Sequence, residues 1–284
     1  MPALLEPFQY DFFQRGLLVA TLAGALCGLV GVFVVVRSMS YIGLGLSHAV
    51  FGGAAVSAVM GVSYFVGAGL WGVLAALLIG RVAGRRVIGA DAAIGVVTTA
   101  SFAIGLAIQS RSGSVSRTLD TVLFGNVLGV FTRDVVAVVG VGIVVVVLVV
   151  AYRRELGFVS FDPDVARVSG IAVGRIDALL MVLLSVTVLV SVRVIGALLI
   201  SAMLVLPAAC ARLLTSSLGR MLWVSPALGA TFGFGGMYAS WYADVPSGAV
   251  ITLVGTAVFG SVWFTSDLAA RRGAARVDEH ATLL

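Results

Sequence analysis

The sequence predicts an all-α, polytopic membrane protein with about nine transmembrane helices, eight or nine being the range its apolar runs allow. Three observations predict it. Of 284 residues, 60% are hydrophobic and only 11% charged, roughly half the charge of a soluble domain. Several apolar runs reach the roughly 20 residues that a bilayer-crossing helix needs. The runs are continuous and not alternating, which argues against a β-barrel. Glycine is frequent at 35 residues, as in membrane helices that pack closely.

In chain order, residues 1–15 mix apolar and polar side chains. They lack a basic region followed by an apolar one, so they do not read as a cleaved leader; they read as an interfacial segment lying on the membrane. A transmembrane domain follows over 16–268, with candidate spans at 16–36, 45–64, 68–84, 92–110, 135–151, 177–193, 195–214, 222–241 and 247–266. The short separations after the second and sixth spans imply hairpins. Residues 269–284 form a C-terminal tail. Gly24-xxx-Gly28 and Gly229-xxx-Gly233 are small-residue faces suited to close crossing. Pro207 should kink the seventh span, and Asp244-Val-Pro246-Ser-Gly248 is a turn.

All 18 basic residues are arginine. Placing the clusters that follow the third, fifth, seventh and ninth spans inside, together with Arg37, Arg167 and Arg175, leaves five outside: Arg15, Arg111, Arg117, Arg133 and Arg193. This excess inside fixes an orientation, with the N-terminus outside, the C-terminus cytoplasmic and an odd number of spans. Two segments are not spans. Arg111 to Asp134, with Leu123-Phe-Gly-Asn126, is too short and glycine-punctuated, and is expected to be re-entrant or interfacial on the outer side. Arg153 to Asp177 is a cytoplasmic loop carrying a short helix. There, Asp162 before Pro163 reads as a cap followed by a first-turn proline. Asp164 adds negative charge at the positive helix end. Gly170 and Gly174 end it, and such a helix offers a grip to a cytosolic partner.

Soluble-enzyme chemistry has little to stand on. No phosphate loop of the GxxxxGK[ST] kind, no HExxH and no CxxC is present. Cys27 and Cys210 fall in apolar runs and read as buried hydrophobes. Nucleic acid is excluded as a partner, because the arginines follow topology instead of forming a stripe. One residue stands out. His48 is the only histidine outside the tail, and an imidazole at membrane depth is costly unless it works. It is also a common ligand for divalent transition metals. On a helix, positions 40, 44, 47 and 48 share one face. His48 would therefore sit with the hydroxyls of Ser40 and Ser47 and with Leu44, which cannot coordinate anything.

Taken in order, Arg37-Ser-Met-Ser-Tyr-Ile-Gly43, Leu46-Ser-His-Ala49, Leu123-Phe-Gly-Asn126, Phe161-Asp-Pro163 with Ala166 and Gly170, Gly196-Ala-Leu-Leu-Ile-Ser201 to Pro207-Ala-Ala209, and Pro246-Ser-Gly248 form an ordered set. The set resembles the permease subunit of bacterial ATP-binding-cassette importers for manganese, zinc and iron, over about residues 12–266. The resemblance implies a type II importer fold, like that of the vitamin B12 importer without its first span, in the bacterial cell membrane. It implies a homodimer around the translocation pathway, two cytosolic ATPase subunits that bind ATP and magnesium, and an extracytoplasmic solute-binding protein. No cofactor is expected to stay bound; the metal ion is cargo. His48 would touch the ion in transit, with Ser47 and Ser40 as neighbours. Residues 162–171 would be the coupling helix, with Asp162, Pro163, Ala166, Arg167 and Gly170 as its contacts to the ATPase. Arg15, Arg111, Arg117 and Arg133 are candidates to meet acidic groups of the binding protein.

The chain departs from that pattern at Leu44, where the resemblance leads one to expect, as is usual in the family, an acidic residue paired with the histidine. The alternatives are an importer for a metal chelate or other small solute, and an ATP-independent secondary transporter. The last predicts charged residues buried mid-span, and none is found beyond His48.

Overall fold

A computed structural model describes residues 6–84, 89–112, 130–197 and 199–281. The expected outer segment around Leu123–Asn126, and Arg117 with it, lies outside the described residues. After a 3-10 turn at Glu6–Gln9 the described chain is all helical. The helices are α1 (Asp11–Val36), α2 (Ile42–Met60), α3 (Tyr64–Ala83), α4 (Ala90–Ser112), α5 (Thr132–Ala151), α6 (Arg153–Phe161), α7 (Pro163–Val168), α8 (Val173–Ile195), α9 (Ile200–Leu214), α10 (Leu218–Ala243) and α11 (Ser247–Ala281). Each expected span falls on one of the nine longer helices. By length and hydropathy, α1, α3, α4, α5, α8 and α11 can each cross a membrane, while α2 and α9 are apolar but shorter.

α1 is the axis of the bundle. It is buried over 72% of its most apolar window, against 22% for α5 and for α11. The reason is glycine. A Cβ added at Gly24 would overlap the Gly229 carbonyl, and one at Gly233 would overlap that of Ala20. The two small-residue faces read from sequence therefore pack on each other, holding α1 and α10 antiparallel with backbone on backbone. The Ser225 hydroxyl donates to the Gly28 carbonyl at 2.6 Å across the same seam.

The two ends of the bundle differ. At one end, Phe8, Tyr10, Phe12 and Phe13 gather on Tyr238 and Trp241; the Phe13 and Trp241 rings stand edge-on at 5.3 Å. The expected interfacial segment is thus fastened to α10, and α1 starts at Asp11, five residues before the apolar run. At the other end α1 closes in a Schellman arrangement, with Met39 N–H on Val34 O and Ser38 N–H on Val35 O. Ser38 takes the left-handed conformation (φ 54°) that glycine usually fills.

Three differences from the sequence reading have physical causes. The stretch after α5 contains α6 as well as α7, because Leu156, Gly157, Val159 and Ser160 give it one buried face. The seventh span begins at Ile200 and not at 195. Gly196 (φ 90°, ψ 151°) ends the preceding helix three residues after Arg193, and the next helix starts only at Ile200. The tail continues α11 as far as Ala281, since its alanines and arginines are strong helix formers. Pro207 lies buried inside α9, where it offers no N–H to the Met203 carbonyl.

Candidate functional site

His48 sits in the second turn of α2, half-buried. Its Nδ1 lies 2.8 Å from the Leu44 carbonyl oxygen. A carbonyl can only accept, so Nδ1 carries the hydrogen. In the neutral ring this leaves the Nε2 lone pair for a ligand, the arrangement that orients metal-binding histidines elsewhere. Phe102 of α4 stands edge-on to the imidazole at 5.4 Å and tilts against Phe51 at 5.2 Å. One turn from Phe102, Thr98 presents a buried hydroxyl with no hydrogen-bond partner among the described residues. A Cβ at Gly45 would come within 2.7 Å of that hydroxyl. Sequence reasoning missed Thr98 and Phe102, because nothing in the chain announces that α2 and α4 lie side by side.

The expected hydroxyl neighbours separate from the histidine. The Ser47 hydroxyl is fully buried and points to the α8–α9 break, 3.0 Å from the Ala197 carbonyl and 2.9 Å from that of Leu44. It satisfies non-helical backbone that has no water to turn to. Ser40 lies in the turn before α2, exposed, so it does not extend the helical face as the spacing predicted; that helix starts only at Ile42. Leu44 is half-buried one turn before His48. Among the described residues no group of three or more His, Cys, Asp or Glu side chains is placed to hold a metal.

At the Ser38 end, α7 is a well-terminated turn and a half. The Asp162 carboxylate accepts from the backbone N–H groups of Asp164 and Val165, both at 3.0 Å. Pro163 opens the helix. Gly170 (φ 83°) closes it, with Ile171 N–H on Ala166 O and Gly170 N–H on Arg167 O. Ala166 is fully buried, whereas Val165 is 51% and Val168 91% exposed. Phe158 and Phe161 extend this apolar surface. Arg167 pairs with Asp164 at 3.1 Å, both well exposed, which contributes little.

Arg15, Arg111 and Arg133 are exposed and lie towards the aromatic end. Arg15 is on the first turns of α1, Arg111 near the end of α4 and Arg133 near the start of α5. The Arg133 guanidinium stands 5.0 Å above the Phe131 ring.

An apolar bundle with one oriented imidazole inside it and a capped helix exposed at one end has the construction of a membrane transport protein. The chain belongs to the ABC 3 transport family, whose profile matches residues 9–265. It is 37% identical to the manganese transport system membrane protein MntC of Halalkalibacterium halodurans, over 90% of this chain and 88% of that one. It is 36% identical to the manganese import system permease protein ScaB of Streptococcus gordonii, over 88% and 90%. It is 33% identical to a probable iron transport system membrane protein of Haemophilus influenzae, over 90% and 94%. Among solved structures, a chain of PsaBC from Streptococcus pneumoniae in complex with Fab matches with a TM-score of 0.82 and 34% identity, over 93% of this chain and 95% of that one. An inward-facing metal-chelate type ABC transporter matches with a TM-score of 0.67 over 89% and 85%; at 16% identity this is a likeness of fold.

Proposed function

We propose that this chain is the membrane-spanning permease subunit of an ATP-driven importer of divalent transition metal ions (manganese, zinc or iron). It performs no catalysis itself; two cytosolic ATPase subunits hold ATP and magnesium. Two copies enclose the pathway in a type II importer fold, with about nine (eight or nine) spans each. The N-terminus lies outside, the C-terminus in the cytoplasm, and an extracytoplasmic protein delivers the ion. The observation that carries the reading is His48, whose Nδ1 is committed to the Leu44 carbonyl so that Nε2 faces the cargo. One imidazole per chain, without a carboxylate at Leu44, makes a weak and transient ligand set. That suits a conduit, because an ion held tightly would not leave. Selectivity then rests on the binding protein, which meets Arg15, Arg111, Arg117 and Arg133. Among the ions, manganese is named for the MntC and ScaB relatives.

α7 is the coupling helix. Its exposed Val165 and Val168, with Phe158 and Phe161, form the apolar face that an ATPase groove covers. Asp162, Pro163 and Gly170 fix its two ends, Arg167 and Asp164 rim it, and buried Ala166 seats it on the membrane body. ATP binding draws the ATPases together, pushes both coupling helices and rocks the two permease copies between outward-open and inward-open states.

Leu44 supports a second reading, a permease on the same scaffold for a metal chelate, whose ligands already offset the ion's charge. The test is uptake by proteoliposomes holding this chain, its ATPase and its binding protein. ATP-dependent accumulation of radiolabelled manganese, zinc or iron as bare ions is expected. Accumulation of chelates alone moves the assignment to the second reading, and uptake without ATP removes both.

A further inference from the structure

Arg37 has no role in the reading so far beyond topology, yet its side chain joins three elements. It closes α1, its own N–H bonding the Phe33 carbonyl. Its Nη1 lies 2.6 Å from Asp177 Oδ1, in the second turn of α8. Its Nε donates to Ser160 Oγ at 3.0 Å, at the end of α6. The Arg37 side chain is 13% exposed and that of Asp177 35%. The other ion pair given above lies within α7 itself.

We propose that Arg37 is a positioning residue that transmits movement of the α6–α7 segment to α2, which carries His48, and to α8; this rests on the transport reading. The connections are short in both directions. Ser160 precedes by two residues the Asp162 that caps α7, so a push on α7 reaches Ser160 through Phe161 alone. On the other side, four residues separate Arg37 from α2 and thus from the His48 helix. Through Asp177 the same guanidinium holds α8, which ends at the Gly196 break where Ser47 binds Ala197.

The third nitrogen explains why the joint is built to move. Arg37 Nη2 is buried and has no hydrogen-bond partner among the described residues. A buried donor without a partner is costly, so this arrangement of the joint leaves a bond to be gained. A shift of α6 that turns the guanidinium can satisfy Nη2, giving two discrete arrangements of one network. An element with two discrete arrangements, biased from both sides, is the physical basis for coupling between distant sites. Arginine suits the task because its fork reaches two partners at once; lysine keeps the charge and loses the fork.

The experiment uses the full complex in proteoliposomes, with ATP hydrolysis and manganese uptake measured on the same samples. Asp177→Asn keeps the shape and removes the charge; Ser160→Ala removes one acceptor; Arg37→Lys removes the fork. With the complex still assembled and hydrolysing ATP, ions moved per ATP should fall about tenfold in Asp177→Asn and Arg37→Lys, and about threefold in Ser160→Ala. A second reading needs no cargo. A fluorophore on Tyr41→Cys reports the exposed turn after Arg37. Trapping the ATPases with vanadate should change its emission in the otherwise unaltered chain and leave it unchanged when Asp177→Asn is added. An unchanged ion-to-ATP ratio in Asp177→Asn, or a Tyr41→Cys signal that still responds with Asp177→Asn present, reduces Arg37 to a static brace and overturns the proposal. If the unaltered complex moves no metal ion, the transport reading fails instead, and the vanadate signal still decides the joint.

Discussion

Two glycine-lined seams run through this bundle, and they differ along their length. Between α1 and α10, glycines on both helices bring backbone against backbone over several turns, from Ala20–Gly233 through Gly24–Gly229 to Gly28–Ser225. Between α2 and α4 such contact occurs only near Gly52 and Gly105, where a Cβ on Gly105 would come 2.6 Å from the Gly52 Cα. Towards Gly45 the pair meets through side chains, Ile94 and Thr98. His48 and Phe102 fill the interval. A seam closed on backbone atoms has one arrangement, since neither side can give way. A seam pinched at one end and side-chain-mediated at the other has room to alter its angle. On the proposed function, the first seam is frame and the second, which holds His48, is where the working part would lie.

The largest test attacks the frame. Gly24→Leu or Gly229→Leu drives a side chain into a facing carbonyl. The cost should reach or exceed the ~3 kcal/mol upper end of ordinary overpacking, because backbone cannot rotate aside. The expected result is loss of the monodisperse protein from detergent extracts. Normal yield and an unshifted melting temperature would mean that α1 and α10 part as easily as α2 and α4, and the contrast would vanish.

The next test attacks the working part. His48→Ala removes the imidazole and leaves the glycines in place. Uptake of manganese by the reconstituted complex should fall about tenfold, the equivalent of ~1.4 kcal/mol, while assembly and melting temperature stay within experimental scatter. Loss of assembly instead of uptake would make His48 a packing residue and both seams structural.

How much of this contrast was legible in the sequence follows from what hydropathy and spacing can encode. The long helices were legible, because apolar runs of that length mark them in the sequence. The glycine faces were legible one helix at a time, but not that Gly24 would meet Gly229. The cap and stop of α7 were legible because Asp162, Pro163 and Gly170 act within a few residues of themselves. The exact place of the Gly196 break was not, since Val194, Ile195, Leu198, Leu199 and Ile200 flank it closely and only Arg193 hints at a boundary. The pairing of Arg37 with Asp177 spans 140 residues, and no local signal encodes it. Ser47 was placed with His48 by helical spacing, yet its hydroxyl is turned to Ala197.

A third substitution sharpens the comparison. Leu44→Asp places a carboxylate one turn before His48, on the helix face where the family resemblance leads one to expect an acidic residue. The added charge offsets desolvation of a divalent cation. Manganese should be retained more tightly by the purified complex, by about tenfold in apparent affinity, and released more slowly, lowering turnover at saturating ion. Equilibrium retention of labelled manganese and initial uptake rates separate the two effects. Unchanged retention would mean that the ion passes elsewhere than along this face.

The smallest effect concerns Thr98, and there the sign decides. Its hydroxyl is buried beside Gly45 with no partner among the described residues. Thr98→Val keeps the branched shape and removes the unpaired group. If α2 and α4 are simply packed at this level, the variant should gain about 1 kcal/mol, seen as a small rise in melting temperature with uptake unchanged. If the hydroxyl instead serves the pathway when the α2–α4 angle alters, the same variant should gain stability and lose uptake by a few fold. A drop in stability would contradict both, because it would require the hydroxyl to hold a bond in the resting protein that its surroundings do not offer. Only the second outcome extends the working part from His48 across to α4, and it does so without touching any glycine of either seam.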